Sequence, residues 1–334
     1  MARVAIDLLG GDGAPEVVAD AVAQLIADGS GIDLALVGPR DLAASLLADR
    51  GIASDRVTLV HADAVVPMAH NPMAVLRDDL GAAAPQLTAT VAARLVRDGA
   101  ADAWVSFGHT GAAVLASTIT LGRVPGMSRA ALAVVLPGLH GPVVLLDVGA
   151  TLDATPDLLV QYAMAGWAYA VSLDVEDPAV GLLTIGAEPG KGDVLRQEAH
   201  QVLADQLPRH GIEFFGNVEG HDVVSGERAQ VIVTDGFTGN VLLKGIEGTV
   251  AWIRDRIASV VAQPEATDRA IDALSAGDFA GGMLLGVQGV CVVGHGAGTP
   301  MEICGSVRLA ARAADHGSVR LMQQALAGIA GGGE

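Results

Sequence analysis

VVLLDVGATLDATPDLLVQYA, residues 143–163, runs from strand through loop to helix and sets the fold class. Val143–Asp147 is continuously apolar up to its final aspartate, the pattern of a strand buried on both faces. A glycine-bearing loop follows, and Pro156–Ala170 is an alanine-rich helical stretch. Working outward, the same alternation recurs. Val4–Leu8, Asp33–Val37, Val57–His61, Ala103–Ser106, Ala131–Leu136, Gly181–Ile185 and Gln230–Thr234 read as strands. Pro15–Ala27, Gln86–Asp98 and Asp193–Leu207 read as helices. Such alternation predicts an α/β fold, a largely parallel sheet covered by helices. Ala130–Val148 is a long apolar stretch, but Pro137, Gly138, His140, Gly141 and Pro142 divide it. It is two buried strands around a turn, not a membrane span. We expect one α/β domain over residues 1–334, with a helical hairpin at 245–280 inside it. In that hairpin Ile246, Val250, Ile253, Ile257 and Val260 share a seam, Pro264 breaks the pattern, and Ala270, Ile271 and Leu274 begin a second face.

Composition narrows the function. The chain has 334 residues, 51% hydrophobic, with 38 acidic against 20 basic residues and a formal net charge of −18. That excess argues against a phosphate-backbone binder, so no nucleic acid partner is expected. It also argues against attraction to anionic lipid. Aromatic residues are only 3%, too few for base-stacking platforms. Cys291 and Cys304 form no disulfide framework or metal motif, and the N-terminal sequence is no signal peptide, so a cytoplasmic location is expected. The basic residues include only two lysines, Lys191 and Lys244.

In open α/β sheets ligands bind beyond the carboxyl ends of the strands, so the loops after strands are the candidates. Leu9–Pro15 contains Gly10, Gly11 and Asp12, where the backbone can approach an anion ahead of a helix. Ser106–Gly111 contains His109, Thr110 and Gly111, which serve equally well as a helix cap. Gly186–Gly192 holds Lys191 between glycines. In a chain that otherwise uses arginine, a lysine there points to a compact ammonium that arginine cannot replace. Gly216–Gly220 carries Asn217 and Glu219. Asp235–Asn240 carries Asp235, Gly236, Thr238 and Asn240 and leads into a helix with Lys244 one turn on. Side-chain and backbone donors of this loop suit a phosphate or thioester carbonyl, and capping is the alternative. Gly294–Gly298 holds His295. There is no Gly-x-Ser-x-Gly elbow, no zinc spacing and no aspartate cluster for a divalent cation, so no metal or cofactor is expected. The loops therefore suit an anionic small molecule or an acyl thioester, handled by positioning and electrostatics.

Taken together and in order, these loops resemble the bacterial acyl-acyl-carrier-protein:phosphate acyltransferases, the PlsX type. The resemblance runs from AIDLLGGDGAPEVV through SFGHTGA, LLDVGATLDATPDLLVQYA, LLTIGAEPGKG, FFGNVEG and VTDGFTGNVLLKGIEG to GGMLLGVQGVCVVGHGAG, nearly the whole chain. It implies a fold similar to isocitrate and isopropylmalate dehydrogenases and phosphotransacetylases, and a homodimer. It implies attack of inorganic phosphate on an acyl carrier protein thioester, giving acyl phosphate for phospholipid synthesis. Catalytic importance then falls on Lys191 and Asn240.

The chain also departs from the family pattern. After Met68, Asn71, Pro72 and Arg77 the family has a basic run ending Lys-Lys-Asp-Ser-Ser; here the sequence is Arg77-Asp78-Asp79-Leu80-Gly81-Ala82-Ala83-Ala84. His109 replaces an asparagine, Ala187 a glutamate, and Gly296-Ala297-Gly298 a loop with paired serines. The hairpin turn Gln263–Asp268 is short and acidic, so weak or absent membrane association is expected. An acidic carrier protein would meet long-range repulsion unless Arg77, Arg123 and Arg129 form a local patch. Acyl coenzyme A is the alternative donor. Three further readings stand beside the leading one: a diverged member with another donor or acceptor, a non-catalytic ligand-binding homologue, and a dehydrogenase, which the missing metal cluster disfavours.

Overall fold

Uninterrupted runs of Val, Leu, Ile and Ala have nowhere to lie but inside, and in the computed structural model, which describes residues 1–67, 70, 86–258 and 280–330, they form the strands of α/β layers. In chain order the strands are β1 (Arg3–Asp7), β2 (Asp33–Gly38), β3 (Val57–His61), β4 (Ala103–Ser106), β5 (Ala131–Gly138), β6 (Gly141–Leu146), β7 (Val180–Leu183), β8 (Phe214–Val218), β9 (Val231–Val233), β10 (Gly282–Leu285) and β11 (Val290–Val293). The helices are α1 (Glu16–Ala27), α2 (Arg40–Asp49), α3 (Thr88–Arg97), α4 (Thr110–Leu121), α5 (Pro156–Ser172), α6 (Val194–Gln206), α7 (Gly236–Ala258), α8 (Pro300–Asp315) and α9 (Ser318–Ala330). The predicted strand–helix alternation is therefore present.

The chain divides into two compact units, Met1–Val124 with Ala280–Val319, and Pro125–Phe279 with Arg320–Glu334. In the first unit the strand order is β3-β2-β1-β4-β11-β10. All these pairings are parallel except β10 with β11. Its interior includes Ile6, Leu34, Leu36 and Trp104, all fully buried. In the second unit the order is β5-β6-β9-β7-β8, parallel except for the β5–β6 hairpin. Val143, Leu145, Leu183, Val218 and Ile232 pack there into one cluster. Each such side chain contributes about 1.5–3 kcal/mol by leaving water.

The hairpin at Ala131–Leu146 confirms two strands around a turn, with Ala133 opposite Leu146 and Gly138 opposite Gly141. β8 takes in Gly216, Asn217 and Val218, expected from the sequence in a loop. β10 and β11 are further additions to the expected set. Each has only four residues in glycine-rich chain, too short for periodicity to show. Ile246, Val250, Ile253 and Ile257 lie half-buried along α7, which is continuous helix from Gly236 through Gly245 to Ala258. The rest of the expected hairpin, including Val260, Pro264, the Gln263–Asp268 turn, Ala270, Ile271 and Leu274, lies outside the described residues. So do Met68, Asn71, Pro72 and the segment from Arg77 to Ala84. Arg123 and Arg129 are exposed and belong to different units. Among the described residues no helix is long and apolar enough to cross a membrane.

Candidate active site

Four loops leave the carboxyl ends of the adjacent parallel strands β6, β9, β7 and β8. The first wraps the carboxylate of Asp147, which is fully buried. Its Oδ1 accepts the backbone N–H of Leu132 at 2.9 Å and of Gly149 and Ala150 at 3.0 Å each. Its Oδ2 accepts Thr151 N–H at 2.7 Å. Burial pushes this carboxyl above the usual carboxylate range, and the four N–H groups pull against that rise. The second loop is stitched to the first, since Gly236 N–H donates to the Thr151 carbonyl at 2.9 Å. Gly239 lies against the Asp147 carbonyl so closely that a β-carbon there would overlap it. Gly239→Ala is therefore expected to displace the first turn of α7, lowering stability by about 1–3 kcal/mol. A urea unfolding curve checks this, with a lower midpoint expected.

Asn240 follows immediately. It is exposed, and its carboxamide carbon lies 3.9 Å from where a β-carbon on Gly149 would stand. Asp235 caps α7: its Oδ1 accepts Thr238 N–H at 2.9 Å, and its Oδ2 accepts the Thr238 hydroxyl at 2.8 Å. Burial raises the Asp235 carboxyl, but the Thr238 bonds and the Arg196 guanidinium outweigh it and hold the group below its ordinary value. Asp235 and Thr238 thus direct their side chains into the protein, toward Arg196.

The third loop carries Lys191. Its hydrocarbon stem lies across Gly186, whose added β-carbon would stand 2.9 Å from Lys191 Cγ. The side chain is half-exposed, with Glu188 opposite the ammonium at 3.8 Å. The loop is anchored at three points. Gly186 N–H donates to Thr184 Oγ1 at 3.1 Å. Asn217, near the end of β8, donates its amide to the Glu188 carbonyl at 2.7 Å. Asp193 Oδ1 accepts Arg196 N–H at 3.0 Å and starts α6. Asn217 Oδ1 is then left to accept from His200 Nδ1 at 2.9 Å, which fixes the proton on that nitrogen. Asn217 is therefore a loop clamp. Glu219 binds Asp222 through its backbone N–H at 2.8 Å. Lys244 is exposed and paired with Glu247 at 2.7 Å.

The remaining candidates gather in the first unit, at the carboxyl ends of β1, β4 and β11. Asp12 N–H donates to the Gly296 carbonyl at 2.7 Å, which joins the Gly10–Gly11–Asp12 loop to that of His295. Ser106 Oγ donates to Asp7 Oδ2 at 2.8 Å, a carboxyl raised above its ordinary range by complete burial. Gly10 sits over this pair; a β-carbon would be 2.7 Å from Asp7 Oδ2 and 2.8 Å from Gly108 N. His109 caps α4, its Nδ1 accepting Gly111 N–H at 3.0 Å, next to Thr110 at the helix start. His295 is exposed, its Nδ1 3.4 Å from Ala297 N. No cluster of three or more metal-ligating side chains occurs among the described residues.

A family model described as "Fatty acid synthesis protein" matches residues 2–321. Proteins named phosphate acyltransferase from Thermobifida fusca and Thermus thermophilus are 40% and 36% identical to this chain. Each covers 98% of it, and the chain covers 91% and 99% of them. The chain belongs to the phosphate acyltransferase family. Solved structures show the same fold. A phosphotransacetylase from Streptococcus pyogenes matches with a TM-score of 0.64 at 18% identity, covering 94% of each chain. A 4-hydroxythreonine-4-phosphate dehydrogenase from Klebsiella pneumoniae matches at 0.58 and 12%, covering 94% of this chain and all of the other. These confirm the expected likeness to phosphotransacetylases and to a dehydrogenase-like fold.

Two residues that organise these loops, Asp147 and Arg196, were not among the candidates that the sequence of this family member offered. Asp147 ends a strand, a position that sequence alone also gives to ordinary turns. Arg196 follows the helix-capping Asp193 by three residues, yet it is buried, unlike most arginines. Asp147→Asn would turn an amide N–H toward one of the four backbone donors. Leaving that buried donor unmatched is expected to lower stability by about 1–3 kcal/mol. Thermal unfolding of the variant checks this, and an unchanged midpoint would show that the loop does not depend on the carboxylate.

Proposed function

We propose that this acyltransferase moves an acyl group from a thioester carrier to inorganic phosphate, with the acyl phosphate feeding phospholipid synthesis. The observation that carries the reading is the parallel pairing of β7 with β9, Leu182 opposite Val233. It sets the Lys191 loop beside the first turn of α7, where Asn240 stands. Both loops lead into helices, α6 and α7, whose N-termini favour an anion. Phosphate is multiply charged near neutral pH. Lys191 holds and orients it, displacing the weak contact with Glu188.

A phosphate oxygen then attacks the thioester carbonyl carbon. The carbon–sulfur bond breaks, the acyl–oxygen bond forms, and the phosphate proton passes to the departing thiolate. Asn240 donates a hydrogen bond to the carbonyl oxygen as negative charge develops on it, a contribution of roughly 3 kcal/mol for one such donor. Family resemblance extends the reading to a cytoplasmic homodimer with acyl carrier protein as donor. The net charge of −18 favours, as a second reading, a donor less dependent on a basic docking face, such as acyl coenzyme A.

One assay separates these readings. The chain is mixed with acyl carrier protein thioester or acyl coenzyme A, with and without phosphate, and product is trapped with hydroxylamine. Phosphate-dependent hydroxamate supports the proposal, and the better donor selects between its two forms. Turnover only with another acceptor indicates a diverged member. Binding without turnover indicates a silent homologue.

A further inference from the structure

We propose that Arg196 is the positioning residue that locks the phosphate-holding loop to the oxyanion-donating helix. The inference rests on the reading that Lys191 and Asn240 act together. The Arg196 side chain is only 10% exposed, and it joins the two segments. On one side Nη1 donates to Asp193 Oδ2 at 2.9 Å, two residues beyond Lys191. On the other side Nη2 donates to Thr234 Oγ1 at 3.1 Å, to Thr238 Oγ1 at 2.9 Å and to the Asp235 carboxylate. Thr238 is two residues before Asn240.

The arrangement requires arginine. A guanidinium is a planar fork whose separate nitrogens reach two carboxylates at once, whereas a lysine ammonium is a point charge serving one. Those nitrogens are engaged and buried, so Arg196 does not touch substrate. It also holds Asp235 ionised, and ionised Asp235 caps α7. Loss of the guanidinium leaves a buried carboxylate without a counter-charge, which breaks the link on both sides. The Lys191 loop keeps its other anchors, Thr184 and Asn217. Its hold on phosphate in the ground state therefore survives, and what is lost is alignment with Asn240.

The test compares Arg196→Met and Arg196→Lys with the unaltered chain, varying phosphate. A misalignment of this kind lowers kcat by roughly 100-fold, with phosphate KM within about threefold, in Arg196→Met. Arg196→Lys restores part of kcat. The acid limb of the kcat–pH profile moves to higher pH in Arg196→Met, because Asp235 has lost the cation that held its proton off. A role in stability alone would lower the melting temperature and leave the KM-to-kcat split and the acid limb unmoved. Hydrogen–deuterium exchange gives a readout independent of turnover: amides of 186–193 and 236–242 gain exchange together in both variants. Exchange rising in one segment only, or kcat unchanged in folded Arg196→Lys and Arg196→Met, overturns the proposal. If the unaltered chain makes no acyl phosphate but both segments loosen together, the brace stands and the functional reading fails.

Discussion

Lys191→Ala is expected to lower kcat/KM for phosphate by roughly 1,000-fold, the loss of one charge-assisted contact to a dianion in a site built for it. Thermal stability should barely change. The side chain is half-exposed and its ionic partner among the described residues, Glu188, stands 3.8 Å away on the surface, a pairing that contributes at most about 1 kcal/mol. Activity and stability therefore separate at this position. Lys191→Arg is expected to recover little, because its longer planar head cannot take the place of a compact ammonium above Gly186. Steady-state rates against phosphate, set beside melting curves, check both statements. Equal losses of activity and stability would mean that Lys191 supports the loop and does not hold phosphate.

Asn240→Ala is expected to lower kcat by about 100- to 1,000-fold with phosphate KM little changed, as for removal of a single oxyanion donor. Asn240→Asp separates the donor role from simple shape. It keeps the size of the side chain, removes the N–H and places negative charge where negative charge develops. It should therefore be slower than Asn240→Ala. An aspartate variant faster than the alanine one would exclude the donor role. Neither change should unfold the chain, since Asn240 is exposed and flanked by an intact cap at Asp235 and Thr238.

How far these residues were legible in the sequence follows from the range of the interactions. Val143–Asp147 declared itself because a strand covered on both faces has no polar residue to spare. Lys191 declared itself because the chain has one other lysine, and that one, Lys244, turns to a neighbour on its own helix. The roles of Asp235 and Thr238 were not legible. Their hydroxyl and carboxylate groups after a strand resemble ligand contacts, and only the fold brings Arg196, 39 positions away from Asp235, to their inner side. Asn217 was hidden likewise, since its partner carbonyl on Glu188 is 29 positions away. Asp147 shows the converse difficulty. Three of its four bonds are local, yet sequence cannot tell a buried carboxylate wrapped by its own loop from an exposed one at a turn.

Transfer to phosphate itself is the central claim, and oxygen-18 phosphate tests it most directly. The chain is incubated with an acyl thioester and phosphate labelled at all four oxygens, and the product is weighed by mass spectrometry. Attack by phosphate predicts an acyl phosphate that retains all four labelled oxygens, with an equal amount of free thiol released. Free fatty acid carrying unlabelled water oxygen as the initial product, with thiol release independent of phosphate, would contradict the account.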